Sequence, residues 1–464
     1  MNKGTFRVPA VRLVLLAAAA LVPACGGGGG GGGGAPAGPS NVTVLISAAA
    51  DGTPANGTCD QPSISDSGQF VAFRASGATT NLLGAGSDTD GFTDIYLKNT
   101  STGAVTRLSV GSGGPVNGHS SEPAISGDGN FIAFTSAATN LVAAFTTYTA
   151  ATTNVFLYDR LGSSLSLLTP QDASATTAGN GSSSAPRISG DGSFIAFQSA
   201  AVNLLPAGTT YAAGLSVFRK TRTGGTVLVS HSVVANTTGN GNSSAPDISS
   251  TGQHVVFSSL ASNLSAADVD ATSDVFVRDV TGSTTTLVSV TGASPGTKGD
   301  AATFEAAISG DGAHVAFKST ANNFDATDPI DNDIYLRRNW ANALSAATEK
   351  VSVHSTLAGN SGNSCSSPDL GTDGRFVAFS SMSQELTSGD VTGFRDIFLR
   401  DSTVALTTTL ISVSSAGVAG DGNSGTVGVR PGITASGSYV VFESAAANFA
   451  AGTTGTQVYR RGPF

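Results

Sequence analysis

Two groups of three aspartates have a spacing that could bind a metal ion: Asp88, Asp90 and Asp94, and Asp268, Asp270 and Asp274. Closely spaced carboxylates supply the oxygen ligands that Ca²⁺ prefers. The alternative is a solvated loop whose last aspartate begins a strand by accepting hydrogen bonds from local N–H groups. A later segment keeps only Asp390 and Asp396. The sequence therefore favours the loop over a calcium site, and no other cofactor is expected.

A second set of polar residues lies beside a recurring proline position, one residue per segment: Gln61, Glu122, Arg187, Asp247, Glu305, Asp369 and Arg430. If the segment around the proline is an innermost strand, these side chains could line a central channel. The alternative is that they pair across neighbouring segments as structural polar contacts. The sequence leaves both open.

Other catalytic patterns are weaker. Residues 292–296 read Gly-Ala-Ser-Pro-Gly, but a nucleophile elbow needs a strand–turn–helix context, and this segment lies in a loop between predicted strands. His254 and His314 occupy positions that are phenylalanine in other segments, so we expect them to be packing residues. We therefore do not expect an enzyme.

These residues belong to a repeat whose strongest signal is one phenylalanine per unit: Phe73, Phe134, Phe197, Phe257, Phe317, Phe379 and Phe442. The spacing is roughly 60 residues, which is typical of propellers and other repeat architectures. The sequence pattern of each unit predicts four short strands. Asp-Gly pairs such as Asp128-Gly129 predict tight hairpins between the first and second strands.

The last unit ends before its fourth strand, whereas residues 42–47 form an apolar strand that precedes the first unit. Pairing the two ends closes the ring and protects the strand edges. The sequence thus predicts an all-β fold: a seven-bladed β-propeller of four-stranded antiparallel blades, closed by the N-terminal strand pairing with the C-terminal blade. A single propeller would span 41–464, with blades at about 60–110, 121–169, 184–231, 245–290, 304–353, 366–413, and 429–464 plus 41–47.

The N-terminal segment 1–25 predicts export. Lys3, Arg7 and Arg12 precede an apolar run at 13–22, as in a signal peptide. The segment ends Leu-Val-Pro-Ala-Cys at Cys25, which resembles the cleavage box of bacterial lipoproteins. The resemblance implies a lipid on Cys25 and anchoring to the cell envelope, with Gly26 favouring the outer membrane, facing the periplasm or the cell surface. The alternative is an ordinary secretory signal.

Residues 26–40 are a Gly- and Pro-rich tether that cannot bury a core. Beyond it, two cysteines remain, Cys59 and Cys365, each three residues before a first-strand proline. They either form a disulfide, which requires both loops to lean over the ring axis, or stay as two free or buried thiols.

The composition is that of a weakly charged exported domain. Charged residues make up 12% and the formal net charge is −9. Nucleic acids and anionic lipid surfaces bind clustered Lys and Arg, so we expect neither as a partner. Contact with a membrane is expected through the lipid anchor only.

The repeat resembles the TolB-type, WD40-like propeller repeat of exported bacterial proteins. The matching residues are Pro-x-Ile-Ser-x-Asp-Gly-x-Phe-Ile-Ala-Phe and, later in the unit, the segments 94–97, 274–277 and 396–399. The resemblance covers 41–464 and implies the fold, not an activity. The chain departs from TolB in having seven units instead of six and no preceding α/β domain, so a role in the Tol system is not expected.

Together these observations predict a monomeric, non-enzymatic scaffold of the cell envelope. Its binding surface would be the face that carries the long loops, with the channel mouth, because binding residues concentrate in loops on a rigid scaffold. The partner would be an envelope protein or a glycan. The competing prediction is an exported glycan or lactone hydrolase or lyase with its site at the channel mouth.

Overall fold

The computed structural model describes residue 1 and residues 41–464, apart from 150, 210, 212–213, 234–236, 293–295, 326–331, 343 and 355–363. The predicted signal peptide with Cys25, the tether and the serine of the 292–296 segment therefore lie outside the described residues. Within the described part, every regular element is a strand. That part contains no helix of the length and apolarity that a membrane crossing requires.

The 28 strands form seven antiparallel sheets of four strands each. The first three sheets comprise β2 (Cys59–Ile64), β3 (Phe70–Ala75), β4 (Asp94–Asn99), β5 (Val105–Arg107); β6 (Ser120–Ile125), β7 (Phe131–Ser136), β8 (Asn154–Asp159), β9 (Ser164–Leu167); β10 (Ser183–Ile188), β11 (Phe194–Ser199), β12 (Ser216–Thr221), β13 (Thr226–Leu228).

The next three sheets comprise β14 (Ser243–Ile248), β15 (His254–Ser259), β16 (Asp274–Asp279), β17 (Thr284–Leu287); β18 (Thr303–Ile308), β19 (Val315–Ser319), β20 (Asp333–Arg338), β21 (Ala347–Lys350); β22 (Ser366–Leu370), β23 (Phe376–Ser381), β24 (Asp396–Asp401), β25 (Thr408–Leu410). The seventh combines β1 (Val42–Leu45), β26 (Gly432–Ile433), β27 (Val440–Ser444) and β28 (Gln457–Gly462). The predicted seven-bladed propeller is confirmed.

The two ends of the propeller chain meet in the seventh sheet, whose strand order is β1-β28-β27-β26. Val42 lies opposite Gly462 and Leu45 opposite Tyr459 in antiparallel register. Beyond β1, the Ile46 N–H donates to the Val458 carbonyl at 2.8 Å. The outermost strand of the last blade thus comes from the start of the propeller, as the sequence predicted.

The second and third strands of each blade carry the core. The repeated phenylalanine of β7, Phe134, is fully buried and stacks on Phe156 of β8 with ring centroids 5.9 Å apart. Apolar clusters join successive blades: one contains Ile95 of the first blade together with Ile132 of the second. Because each sheet is covered by its neighbours on both sides, its middle strands are apolar on both faces.

The Asp-Gly turns need glycine. Gly192 has a φ of +70°, and a Cβ there would lie 2.3 Å from Phe131 Cδ2 of the preceding blade. Successive turns are also joined through the backbone, since Asp128 N–H donates to Gly190 O at 3.0 Å and Gly190 N–H donates to Ser250 O at 2.9 Å. The short-turn face is therefore tied together from blade to blade.

The two histidines at phenylalanine positions are packing residues, as predicted. The His254 ring meets Trp340 edge to face, with centroids 5.4 Å apart, and lies against the turn at Gly312. His314 lies in the same way against the turn at Gly374. Burial lowers the pKa of both imidazoles, so the neutral form is favoured.

Candidate functional site

A cavity of about 340 Å³ lies on the axis of the propeller and is lined by the first strands of the blades. The lining runs from the residues around the first-strand proline to the tight turns at Asp66, Gly190 and Thr372. Turns between first and second strands lie opposite the long loops in an antiparallel blade. The cavity therefore extends toward the short-turn face, whereas the sequence placed a site on the long-loop face.

A β-bulge in the first strand of six blades aims the side chains of this region. The residue at the bulge has a positive φ between 50° and 57° in each case: Gln61, Glu122, Ala185, Ala245, Glu305 and Ser367. The ladder with the second strand shifts register at the same place. The extra residue lies outside the ladder, so its N–H is free to bond to a neighbouring blade.

Three of the seven predicted polar residues make such contacts between blades. Gln61 Oε1 accepts the N–H of Glu122 at 2.8 Å, and Glu122 Oε2 accepts the N–H of Ala185 at 2.8 Å. Glu305 Oε2 accepts the N–H of Ser367 at 2.8 Å. These are the structural contacts of the second alternative, and Gln61 and Glu122 lie in the cavity lining as well.

The other four, Arg187, Asp247, Asp369 and Arg430, meet around the cavity. Arg430 Nη1 lies 2.9 Å from Asp247 Oδ2 and 3.6 Å from Asp369 Oδ1. Arg187 Nε lies 4.0 Å from Asp247 Oδ1. Two arginines thus balance two aspartates. The sequence grouped residues before and after the proline together, and the bulge turns these two positions in different directions. Arg430 precedes its proline and still joins the cluster.

The carboxylates of this cluster are already engaged by the backbone. Asp247 Oδ2 accepts the N–H of Ile308 at 3.0 Å, and Asp369 Oδ2 accepts that of Ile433 at 3.0 Å. Burial raises the pKa of Asp369 to about 6, an effect that the charge of Arg430 opposes. Because each carboxylate joins two blades and meets an arginine, the cluster has the character of a brace and not of a free general base.

The first acidic triad converges on an arginine. Arg107, the last residue of β5, places Nη1 3.1 Å from Asp88 Oδ1 and Nη2 2.8 Å from Asp94 Oδ2, and it also pairs with Asp90. The hydroxyl of Tyr96 donates to Asp88 Oδ2 at 2.7 Å. The guanidinium thus occupies the centre of the group.

The second triad converges on a lysine from a different part of the blade. Lys298, in the loop after β17, places Nζ 2.8 Å from Asp270, 2.9 Å from Asp274 and 3.6 Å from Asp268. In both triads the carboxylates lie within 4.8 Å of one another, as metal ligation would require. A calcium ion would have to displace a bonded side-chain cation, so the geometry favours a structural role.

The last aspartate of each triad does not bond local N–H groups, and that part of the prediction is wrong. Asp94 Oδ1 accepts a hydrogen bond from Ser109 Oγ at 2.5 Å, and Asp274 Oδ1 accepts one from Ser289 Oγ at 2.8 Å. The serine follows the fourth strand, and its oxygen accepts the N–H after the aspartate, as for Ile95 at 3.0 Å. The recurring serine was a visible signal that sequence reasoning missed.

Cys59 and Cys365 do not form a disulfide, so that alternative is wrong. Cys59 and Cys365 are fully buried in separate core clusters. The Cys365 thiol faces Ser381 Oγ at 3.4 Å, where the fourth blade has a Ser243–Ser259 hydroxyl pair at 2.9 Å. Burial raises the pKa of Cys365 to about 12. Each cysteine therefore packs in a core cluster between its own blade and a neighbouring one, and the two thiols lie in different clusters.

No family model matches the sequence, and no curated protein does either. Solved structures do match. An oligogalacturonate lyase from Vibrio parahaemolyticus has 14% identity and a TM-score of 0.53 over 90% of this chain and 93% of the lyase. The β-propeller domain of the Trilobed protease from Pyrococcus furiosus has 10% identity and a TM-score of 0.51 over 87% of this chain and 95% of that domain.

TolB from Acinetobacter baumannii is matched with 12% identity and a TM-score of 0.39, over 76% of this chain. The chain spans 63% of the TolB structure. The similarities to the lyase and to the protease domain, whose TM-scores exceed 0.5, establish the β-propeller fold and not an activity, because propellers support many unrelated functions.

Proposed function

We propose that this protein is a non-enzymatic, exported scaffold that binds a protein partner through the long-loop face of its propeller. The observation that carries the proposal is a group of exposed apolar side chains on the long loops of the sixth blade. The signal-like segment 1–25 and the cysteine at 25 support export and anchoring to the cell envelope. The pairing of Asp247 and Asp369 with arginines in the channel supports a structural and not a catalytic role for these two carboxylates.

The long loops are held at fixed points. Asn263 Oδ1, in the loop after β15, accepts the N–H of Asn240 in the preceding loop at 3.0 Å. The equivalent Asn203 accepts the N–H of Asn180 at 2.9 Å. These contacts recur because the asparagines close turns. Loops anchored in this way present their outer side chains from a rigid base, which suits recognition.

The apolar side chains in question lie on two adjoining loops, 382–395 and 411–431, and we call them the blade-six surface: Met382, Val391, Phe394, Val418 and Val427. Val391 is 80% exposed. The two loops are joined where Asn423 Oδ1 accepts the N–H of Arg395 at 2.8 Å. Single exposed apolar residues are ordinary, and the occurrence of five of them on two adjoining loops supports the proposal of an interaction surface.

The chemistry of this surface favours a protein over a glycan. Its side chains are aliphatic apart from Phe394, and they offer buried apolar contact, which is characteristic of the centre of a protein interface. The competing enzyme proposal rests on the axial cavity, whose lining acids Asp247 and Asp369 are paired with Arg430. Binding of a glycan and an enzymatic activity are therefore treated as alternative outcomes of the test below.

The test is capture from envelope extract with the protein as bait, using two variants. Replacing Val391 and Phe394 with aspartate should abolish capture of the partner. In a matched control variant, Leu161 and Leu344 are replaced with aspartate. These residues are 71% and 99% exposed on turns between third and fourth strands, so this variant should capture the partner normally. Equal capture by both variants would exclude the blade-six surface. Turnover of oligouronides or lactones, lost in Asp369→Asn, would favour the enzyme.

A further inference from the structure

The sixth blade holds a pair of buried carboxylates whose surroundings differ from those of every acidic group described above. Asp390 and Asp396 occupy the positions of Asp268 and Asp274 in the fourth blade, with the same spacing. Asp390 is 4% exposed and Asp396 is fully buried. Thr392 stands where the fourth blade has Asp270. The sixth blade thus has the same arrangement as the fourth-blade triad, with a threonine hydroxyl in place of the middle carboxylate.

The side-chain cations of the other blades have apolar replacements here. Arg107 lies opposite Tyr96 in the first blade and Lys350 opposite Tyr335 in the fifth, whereas the corresponding position opposite Phe398 is Leu410. Lys298 bridges Val290 in the fourth blade, and the corresponding residue, which bridges Val413, is Ala419. Among the described residues, no Lys, Arg or His forms an ion pair with Asp390 or Asp396.

Asp390 has lost a second partner as well. Its counterpart Asp88 accepts a hydrogen bond from the Tyr96 hydroxyl at 2.7 Å, but the residue at that strand position in the sixth blade is Phe398, which has no hydroxyl. Asp390 Oδ2 is consequently buried and, in the described structure, has no hydrogen-bond partner. An uncompensated buried carboxylate is costly, so this oxygen indicates a ligand.

The remaining contacts are too few for two carboxylates. Thr392 Oγ1 lies 3.4 Å from Asp390 Oδ1 and 3.2 Å from Asp396 Oδ2. A hydroxyl has one proton, so it can donate to only one of them. Asp396 Oδ1 accepts from Ser412 at 2.5 Å. The Thr392 N–H also donates to Asp390 Oδ1 at 3.2 Å. Two carboxylates therefore flank one hydroxyl, and the described residues supply neither of them with a counter-charge.

We propose that Asp390, Thr392 and Asp396 bind a divalent metal cation, which takes the place that side-chain cations take in the first, fourth and fifth blades. The donors are all oxygen, which selects a hard cation, and two carboxylates balance two positive charges. The flexible coordination of Ca²⁺ suits a site with three protein side chains completed by backbone or water oxygens. The metal would fix the long loop 382–395 against the blade.

The test is calcium titration of the chelator-treated full chain by calorimetry and by thermal unfolding. The wild type should bind one equivalent of Ca²⁺ and unfold at a higher temperature with it. Asp390→Asn should weaken binding by at least about tenfold, as losses at metal sites do. Ala419→Lys should place an ammonium as Lys298 does, and should therefore remove the calcium response. Ala419→Ser is the matched control and should keep it.

A further variant tests the same logic in the opposite direction. Lys298→Ala removes the cation from the fourth-blade triad and should create a second calcium equivalent. Absence of calcium binding by the wild type up to millimolar concentrations would overturn the proposal, as would binding that neither Asp390→Asn nor Ala419→Lys changes. If Asp390→Asn does not fold, Ala419→Lys, which retains both carboxylates, decides the question alone.

Discussion

Arg430 Nη1 lies 2.9 Å from Asp247 Oδ2, and this contact joins the seventh blade to the fourth across the central channel. The same guanidinium donates to the Ala306 carbonyl of the fifth blade at 2.7 Å and approaches Asp369 of the sixth. One side chain therefore connects four blades. Since neighbouring blades already share apolar clusters and turn contacts, Arg430 adds the connection that those contacts cannot supply.

We expect Arg430→Met to destabilise the propeller by ~3–5 kcal/mol, because breaking a buried ion pair leaves uncompensated charges, here on Asp247 and Asp369. Urea unfolding at pH 7 measures the loss. Arg375→Met is the control, and its effect should be much smaller, because Arg375 is partly exposed and Asp401 keeps hydrogen bonds from the N–H groups of Thr403 and Val404. Similar losses of unfolding free energy in both variants would show that the Arg430 contacts across the channel contribute no more to stability than the Arg375 ion pair.

Stability should also depend on pH through Asp369. Burial raises the pKa of this carboxyl to about 6, above its usual value of about 3.9. The folded state therefore keeps a proton that the unfolded state releases. The stabilising contribution is complete below pH ~4 and is lost as the pH rises through ~6. Asp369→Asn should flatten the unfolding free energy over this range and be the more stable form above it.

Asp401 supplies a control of opposite sign. The hydrogen bond from Arg375 lowers the pKa of this carboxyl, so its contribution is present above the unfolded pKa and is lost as the pH falls. Asp401→Asn should therefore lose stability at neutral pH, where Asp369→Asn gains it. The same slope in both variants would contradict the assignment.

The sequence predicted the ring of blades but did not predict the side-chain cations that pair with its acidic triads, and there is a physical reason for this difference. Strand, turn and phenylalanine positions report local backbone geometry, which repeats with the unit, so Phe134 and Gly129 were enough to find it. The cation of an acidic triad does not repeat. Arg107 and Lys350 share a position in the fourth strand of their blades, but Lys298 comes from the loop that follows a fourth strand, so one repeat position does not mark the pairing in every blade.

The channel residues show a related limit. The positions before and after the proline are close in sequence, yet the Glu122 side chain at the bulge contacts the next blade, while Asp247 and Asp369, which follow the proline, meet Arg430 at the cavity. A bulge changes side-chain direction by one residue, and a periodic pattern does not show it. The exposed blade-six surface was likewise unpredicted, because Val391 and Phe394 correspond to Val269 of the fourth unit and Phe92 of the first, so the repeat itself does not single them out.

The turn glycines should be intolerant of a side chain. Gly192→Ala combines a φ of +70° with a Cβ 2.3 Å from Phe131, so we expect a loss of at least ~1–3 kcal/mol, which is the usual cost of strained backbone. Gly225→Ala is the matched control, since nothing lies within 4 Å of its Cβ and its φ is unstrained. Thermal unfolding compares them, and an equal melting temperature would contradict the close approach of Phe131.

We expect that serine can replace the buried Cys365 with little loss of stability. Cys365→Ser should change the unfolding free energy by less than ~1 kcal/mol, because a hydroxyl pair occupies this position in other blades and a hydrogen bond contributes about that much. Both Cys59 and Cys365 should resist a thiol reagent in the folded protein and react after unfolding. Loss of stability on adding a reducing agent would instead indicate a disulfide.

The closure of the ring depends on a short segment, Val42 to Ser47, and can be tested by removing it. Ile46 is 1% exposed and packs in the cluster that joins the first and seventh blades, with Phe73 and Val458. Ser47 Oγ donates to Gln457 Oε1 at 2.7 Å and accepts the Val458 N–H at 2.9 Å. A chain that starts at residue 50 loses these contacts and exposes the edge of β28, which is a template for aggregation.

Each buried aliphatic side chain contributes ~1.5–3 kcal/mol, and the net stability of a domain is only ~5–15 kcal/mol. The chain starting at residue 50 should therefore be insoluble or strongly destabilised, whereas one starting at residue 41 should fold normally. Point variants separate packing from chain length: Ile46→Ala should cost ~2–5 kcal/mol, while Val44→Ala should cost far less because Val44 is 39% exposed. Equal unfolding curves for the two truncated chains would refute closure by β1, and equal curves for the two point variants would refute the register that buries Ile46.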